Sequence, residues 1–150
     1  MVDFNQDISI GCDHAGYAMK QYLVEKLTSE DYHFKDYGTF SEESIDYPDI
    51  IHPLAKAVND GIYTWGIILC GSGIGVSIVA NKYPRVRAAL CWKEEIARLS
   101  RQHNDANVIA LPSRFISCEE AVSIVRTFLN TDFEGGRHER RVLKIAAILK

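Results

Sequence analysis

Short apolar runs alternate with longer amphipathic segments along almost the whole chain. The apolar runs predict five strands, at residues 8–12, 33–38, 66–70, 86–91 and 107–112. The amphipathic segments predict helices at residues 15–30, 49–61, 74–83, 93–104 and 118–130. Repeated alternation of this kind is typical of a parallel sheet covered by helices on both faces. We therefore predict an α/β fold, a three-layer α/β/α sandwich around a five-stranded parallel, Rossmann-like sheet.

The final segment departs from this alternation. Residues 134–150 begin with a Gly-Gly break and a basic cluster, and then favour one more helix. Helical spacing places Val142, Ile145, Ala146 and Leu149 on one face of that helix. We predict that residues 1–150 form a single domain. We expect this C-terminal helix to pack on its own domain or, as we favour, against a partner subunit.

Composition narrows the class of protein. The chain has 150 residues, of which 47% are hydrophobic and 25% are charged, as in an ordinary globular domain. A net charge of −3 argues against nucleic-acid binding. No apolar run approaches the ~20 residues of a membrane span, and the opening "MVDFNQDISIG" lacks a signal-peptide pattern. We expect a cytoplasmic protein that binds neither nucleic acid nor membranes.

The chain has four cysteines, Cys12, Cys70, Cys91 and Cys118, and no Cys-x-x-Cys pair. This scatter disfavours a zinc ribbon or a redox motif, and it predicts reduced thiols. For three of the four, the simplest interpretation is a small buried hydrophobic residue. Cys70 is different because a glycine-rich loop follows it.

That loop, "CGSGIG" at residues 70–75, follows the third predicted strand. A dinucleotide fingerprint needs a third glycine where Val76 stands, and no Gly-Lys-Ser/Thr of a P-loop follows. Alternating glycines let backbone N–H groups turn inward and hold a phosphate or a developing oxyanion. The same N–H groups would stabilise a Cys70 thiolate as a base or nucleophile, with the Ser72 hydroxyl nearby. The alternative is a structural cysteine beside a tight turn.

Two polar pairs accompany the loop. Asp13 and His14 follow the first strand, at the sheet edge where ligands of open α/β folds bind. Their alternative role is a helix N-cap beside a surface histidine. His103 and Asn104 end a predicted helix, where a histidine also acts as a dipole-stabilised cap. Taken singly, neither pair decides between structure and chemistry.

Three arginines suit a phosphate. Arg114 follows the fifth strand at the ligand-binding edge, and Arg137 and Arg141 share one helix face. Paired guanidinium groups match a dianionic phosphate. Their alternative role is a solvated charged face.

The motifs together carry a family resemblance. They are "GCDHAG", "DYPD", "CGSGIGVSIVANK", "RAALC", "LSRQHNDANVIALPSR" and "EGGRHERRV", and they span nearly the whole chain. In this set and order the sequence resembles the type B ribose-5-phosphate isomerase family, which includes galactose- and allose-6-phosphate isomerases. A branch of that family replaces the cysteine base with a glutamate at the position of Val76. The resemblance therefore places this chain in the cysteine branch.

The resemblance implies an aldose–ketose isomerase that works through a cis-enediolate, without metal or cofactor. Cys70 would move the proton between C1 and C2, and Ser72 would contact the reacting end. His103 would help to open the furanose ring, assisted by Asp13. The implied substrate-binding residues are Gly71, Gly73, Ile74 and Gly75 at the enediolate, Tyr47 and Asn104 at hydroxyls, and His14, Arg114, Arg137 and Arg141 at the phosphate.

The resemblance also implies a homodimer with shared sites, a parallel sandwich with strands one and three adjacent, and tetramers in some members. Ribose 5-phosphate is the expected substrate, in the non-oxidative pentose phosphate pathway. Two alternatives stay open on sequence alone. One is the same chemistry on allose or galactose 6-phosphate, and the other is a non-catalytic module that binds a sugar phosphate or a nucleotide.

Overall fold

The protein forms a five-stranded, wholly parallel sheet with the strand order β2-β1-β3-β5-β4. A computed structural model describes residues 5–147. The strands are β1 Ile8–Cys12, β2 Phe34–Asp36, β3 Gly66–Cys70, β4 Ala88–Leu90 and β5 Val108–Pro112. The predicted sheet, its parallel pairing and the adjacency of the first and third strands are confirmed.

Residues 5–147 form six α-helices, five of which cover the two faces of the sheet, while the last packs on the fourth. They are α1 Tyr17–Thr28, α2 Tyr47–Asn59, α3 Ile74–Ala80, α4 Glu94–Asn104, α5 Cys118–Leu129 and α6 Arg137–Lys144. A 3₁₀ turn, His14–Gly16, precedes α1, so this helix starts two residues later than its pattern predicts. The α2 helix starts two residues earlier, because Pro48 suits a first helical turn. No helix within residues 5–147 is both long and apolar enough to span a bilayer.

Two clusters of apolar side chains lie on opposite faces of the sheet. Ile67 and Leu69 of β3 pack with α1, α4 and α5, whereas Ile68 and Cys70 pack with α2 and α3. Successive side chains of a strand point to opposite faces of the sheet. Helices cover both faces at β3, so all five of its residues are buried. This explains why the central strands read as continuous apolar runs.

The tail is the element that the sequence pattern fits least well. The α6 helix spans only Arg137–Lys144, and His138 is its one buried residue among those described. Val142 and Ala146 are half-buried and Ile145 is 56% exposed, so its own domain covers the predicted apolar face only in part. Leu149 lies outside the described residues.

Candidate active site

The carboxyl ends of β1, β3 and β5 meet at one edge, here called the carboxyl edge. Asp13 N–H donates to the Leu69 carbonyl (3.2 Å), and Ser113 N–H donates to the Cys70 carbonyl (2.9 Å). The Ser113 hydroxyl also bonds the carbonyls of Ala15 (2.9 Å) and Cys70 (3.1 Å). Three loops are therefore tied together where ligands of such sheets bind.

Cys70 is the last residue of β3 and is only 5% exposed. Its Sγ accepts the Gly73 N–H at 3.2 Å. The thiol is free and faces the α2 and α3 side of the sheet. A backbone donor thus points at the one sulfur that borders the glycine loop.

Gly73 makes this loop possible. It adopts φ +72°, and a Cβ there would lie 2.5 Å from Leu90 Cδ1. Both the backbone angle and the space therefore require glycine. The next N–H, of Ile74, donates to Ser72 Oγ at 3.2 Å, which fixes that hydroxyl at the start of α3.

Other N–H groups of the loop are available to a ligand. Within residues 5–147, the N–H groups of Gly71, Ser72 and Gly75 contact no hydrogen-bond acceptor. Backbone donors in such a turn form an anion-binding concavity. The loop can therefore receive a developing negative oxygen next to Cys70.

Two predicted ligand contacts lie directly on this loop. A Cβ at Gly71 would come within 2.9 Å of Arg114 Nη1, and one at Gly75 within 2.6 Å of Tyr47 Cζ. The guanidinium and the phenol ring therefore press on the loop backbone from two sides. Arg114 is exposed and Tyr47 is half-buried, so both reach solvent beside Cys70.

Asp13 and His14 complete the carboxyl edge. Asp13 is 8% exposed, and its carboxylate accepts the Gly16 N–H at 3.1 Å, which is the capping role named above as its alternative. Capping uses Oδ1 and leaves the second oxygen available. His14 Nδ1 accepts the Ile45 N–H at 3.3 Å, which leaves Nε2 for other partners.

The other cysteines lack the surroundings of Cys70. Burial raises the pKa of Cys12, at the end of β1, to about 12. Burial likewise raises the pKa of Cys91, which follows β4, to about 12. Neither borders a glycine loop, and both behave as the small buried residues that the sequence predicts. Cys118, at the start of α5, is half-buried instead.

His103 and Asn104 lie elsewhere. The α4 helix leaves the carboxyl end of β4 and returns to the start of β5, so its last residues lie at the amino edge of the sheet. A five-residue strand rises about 3.3 Å per residue, so the two edges are about 16 Å apart. Asn104 is exposed and borders a cleft of about 460 Å³ with Arg87 and Ile145.

A stacked histidine pair marks the amino edge. The His103 and His138 rings lie 4.2 Å apart at 11°, and His138 Nε2 is 3.6 Å from Glu134 Oε2. These three residues could offer metal ligands within 4.8 Å of one another. Lone pairs of parallel rings do not converge, so the cluster is not a preformed tetrahedral metal site. Desolvation, helped by His103 and Arg137, lowers the pKa of His138.

Arg137 and Arg141 are the first and fifth residues of α6, and both are exposed. Their helix packs on α4 beside the histidine pair. The predicted site residues therefore form two groups. One chain brings together Asp13, His14, Tyr47, Arg114 and the Cys70–Gly75 loop at its carboxyl edge, and it places His103, Asn104, Arg137 and Arg141 at its amino edge.

Ser113 and His138, which contact these groups, were not predicted from the sequence. Ser113, in "LPSR", joins the ends of β1, β3 and β5, and nothing in its spacing indicated this. His138, in "EGGRHERR", stacks on His103. No local spacing indicated this contact, because it depends on how α6 packs against α4.

The fold and the carboxyl edge together define a class of protein. It comprises the open parallel α/β proteins that carry a thiol and an anion-binding glycine loop at the end of a central strand. The profile of the Ribose/Galactose Isomerase family matches residues 8–145, and the chain belongs to that family. The resemblance drawn from the sequence motifs is thereby confirmed.

Individual relatives agree with this membership. The chain is 45% identical over 141 residues to ribose-5-phosphate isomerase B of Escherichia coli (strain K12), which covers 94% of this chain and 95% of the relative. Clostridium thermocellum ribose-5-phosphate isomerase B has a similar structure, with a TM-score of 0.93, 46% identity and coverage of 95% and 97%. The Mycoplasma genitalium ribose-5-phosphate isomerase B, solved with bound ribulose-5-phosphate, gives a TM-score of 0.89, 40% identity and 94% coverage of each chain.

Proposed function

We propose that this protein is an aldose–ketose isomerase that interconverts D-ribose 5-phosphate and D-ribulose 5-phosphate. The reaction belongs to the non-oxidative pentose phosphate pathway. One observation carries the proposal, the free and almost fully buried Cys70 thiol that accepts an N–H from the glycine loop. Family membership supports the substrate, since a relative of this chain was solved with ribulose-5-phosphate bound.

In the proposed reaction, Cys70 acts as the base. Its thiolate takes the proton from C2 of the open-chain aldose, and the electron pair moves onto the carbonyl oxygen to form a cis-enediolate. The thiol then returns the proton to C1, while the hydroxyl proton passes from O2 to O1. Base and oxygen-holding groups must therefore lie side by side, as the sulfur and the loop do.

The loop supplies the electrostatic half of the reaction. The N–H groups of Gly71, Ser72 and Gly75 would bind the enediolate oxygen, where negative charge develops. The loop is already folded around Cys70, so these donors need no reorganisation during the reaction. Asp13 and Tyr47 would contact the ring oxygen and hydroxyls from the two sides of the loop.

The remaining groups come, in this proposal, from a second copy of the chain. His103 lies at the opposite edge from Cys70, so one subunit cannot place both against the same sugar. In a two-fold homodimer, the amino edge of each copy can meet the carboxyl edge of the other. His103 would then open the ring, while Arg137 and Arg141 would hold the phosphate with His14 and Arg114. The exposed apolar side chains of Leu143 and Ile145, in and just after α6, support this pairing.

A coupled assay with ribose 5-phosphate in the presence of EDTA tests this function. We expect turnover that EDTA does not reduce, because no proposed step uses a metal. Parallel arms with allose 6-phosphate and galactose 6-phosphate measure the preference between five and six carbons. Absence of ribose 5-phosphate turnover, or its loss on addition of EDTA, would contradict the proposal.

A calorimetric titration separates the enzyme from a non-catalytic module. We expect ribose 5-phosphate to bind and ATP not to bind, because the glycine loop lacks the Gly-Lys-Ser/Thr of a P-loop. Binding of ATP without turnover of any sugar phosphate would instead favour the module.

A further inference from the structure

Lys20 of α1 is a lysine with no exposed surface. It lies on the same helix face as Leu23 and Leu27, both in the core. Lysine is almost never fully buried unless its charge is paired. The proposed reaction does not use Lys20, and no bound sugar could reach a side chain without accessible surface. Its partners therefore indicate another role.

Three oxygens surround the Lys20 ammonium. Nζ donates to Asp36 Oδ1 at 2.8 Å, to Asp36 Oδ2 at 2.9 Å and to the Thr39 carbonyl at 2.6 Å. Asp36 Oδ1 also accepts the Gly38 N–H at 2.8 Å. The Phe40 ring covers the ammonium, with its centroid 4.7 Å from Nζ. One charge thus joins α1, the end of β2 and the start of the following segment.

The segment at residues 38–46 begins at this clamp, beside the carboxyl edge. Cys12 N–H donates to the Gly38 carbonyl at 2.7 Å, and Thr39 N–H donates to the Cys12 carbonyl at 2.8 Å. These bonds continue the pairing of β1 up to the residue before Asp13. The clamp therefore fixes the backbone next to a proposed catalytic carboxylate.

The same segment ends at two proposed ligand contacts. The Ile45 N–H donates to His14 Nδ1 at 3.3 Å. Two residues later the chain enters α2 at Tyr47, whose ring presses on Gly75 of the glycine loop. Between its two ends, residues 41–44 are exposed. Such a segment holds its place mainly through its anchors.

We propose that Lys20 is a positioning residue for the sugar-phosphate site. Its ammonium fixes the segment at residues 38–46, and the segment fixes His14 and Tyr47 around the substrate. The kinetic test of this role rests on the proposed function, whereas the structural test rests only on the contacts described above. The lysine acts only through these other residues.

The test replaces Lys20 with methionine, which keeps an unbranched stem and removes the ammonium. We expect KM for ribose 5-phosphate to rise about tenfold while kcat stays within about threefold, because ground-state and transition-state contacts are lost together. We also expect faster amide exchange in residues 38–46 and unchanged exchange in residues 70–76. Lys26→Met, an exposed position on the same helix, is the matched control and should leave both readouts unchanged.

A second variant keeps the proposal testable if Lys20→Met does not fold. Asp36→Asn preserves the side-chain shape and weakens the Lys20–Asp36 clamp. It should therefore raise KM and amide exchange as Lys20→Met does, but by a smaller amount. Unchanged KM with unchanged exchange in residues 38–46 would overturn the proposal, and so would a fall in kcat at constant KM. Amide exchange needs no turnover, so it tests the clamp even if ribose 5-phosphate is not the substrate.

Discussion

The two edges of the sheet both gather polar groups, but they are built in different ways. At the carboxyl edge the backbone provides most contacts, including the Gly73 N–H on Cys70 and the carbonyls bound by Ser113. At the amino edge side chains provide them. Buried Arg101 there bonds the Ala106 carbonyl (2.7 Å) and Asp105 (2.8 Å), which shapes the turn after His103.

The two edges therefore suit different roles, one as a rigid catalytic site and the other as a source of exposed positive charge. The carboxyl edge is buried and fixed by tied loops, which suits a base and an oxyanion site. The amino edge leaves Arg137 and Arg141 exposed on a helix that its own domain hardly covers. Only a second molecule would bring such charges to the thiol. The two edges of one chain are therefore, in our proposal, halves of two different sites.

The sharpest test within the carboxyl edge is Cys70→Ala. Removing the base should lower kcat by about 10²–10⁴-fold, the usual contribution of general base catalysis. Phosphate binding, measured by calorimetry, and the oligomeric state should not change, since the arginines remain. Isomerase activity is the deciding measurement.

Cys91→Ala is the matched control, because that thiol is also buried at the carboxyl edge and its pKa is raised to about 12. A thiol that stays protonated contributes no base, so activity should stay within about twofold, as for most substitutions away from a site. Near-normal turnover in Cys70→Ala would assign the proton transfer to another group.

A smaller effect is expected at the amino edge, in the pH dependence of stability. The pKa of His138 is lowered from its usual 6.5 by desolvation and by His103 and Arg137. The unfolded chain therefore binds this proton more readily, and the free energy of unfolding should fall as the pH drops below 6.5. Denaturant unfolding at several pH values measures this fall.

His138→Gln should reduce that acid sensitivity, whereas His52→Gln, at an exposed position, should not. An equal loss of stability at acid pH in wild type and His138→Gln would show that the stacked pair plays no part in it. Comparison of the two variants thus isolates the amino edge from the rest of the protein.

Much of this organisation could be predicted from the sequence. The alternation of apolar runs and amphipathic segments predicted all five strands, and the three central strands, which are buried on both faces, read as continuous apolar runs. Short elements were less well bounded. The predicted strand at 86–91 contracts to Ala88–Leu90, the three residues that pair with β5.

The sequence predicted which residues belong to the site, but it predicted their spatial arrangement only in part. Cys70 and the glycine loop are contiguous, so their contact follows from local sequence. Lys20 was overlooked although its spacing from Leu23 and Leu27 places it on the buried face, which is itself a signal of a paired charge. The distance between His103 and Cys70 depends on how α4 crosses the sheet, and no local pattern encodes it.

The most direct test of the central claim mixes two inactive variants. Cys70→Ala and His103→Ala are unfolded together in equal amounts, refolded and assayed with ribose 5-phosphate. If each site takes Cys70 from one copy and His103 from the other, half of the dimers are mixed and each contains one intact site. Activity should then recover to about a quarter of wild type. A mixture no more active than its two components would place both residues in a single subunit and contradict the account.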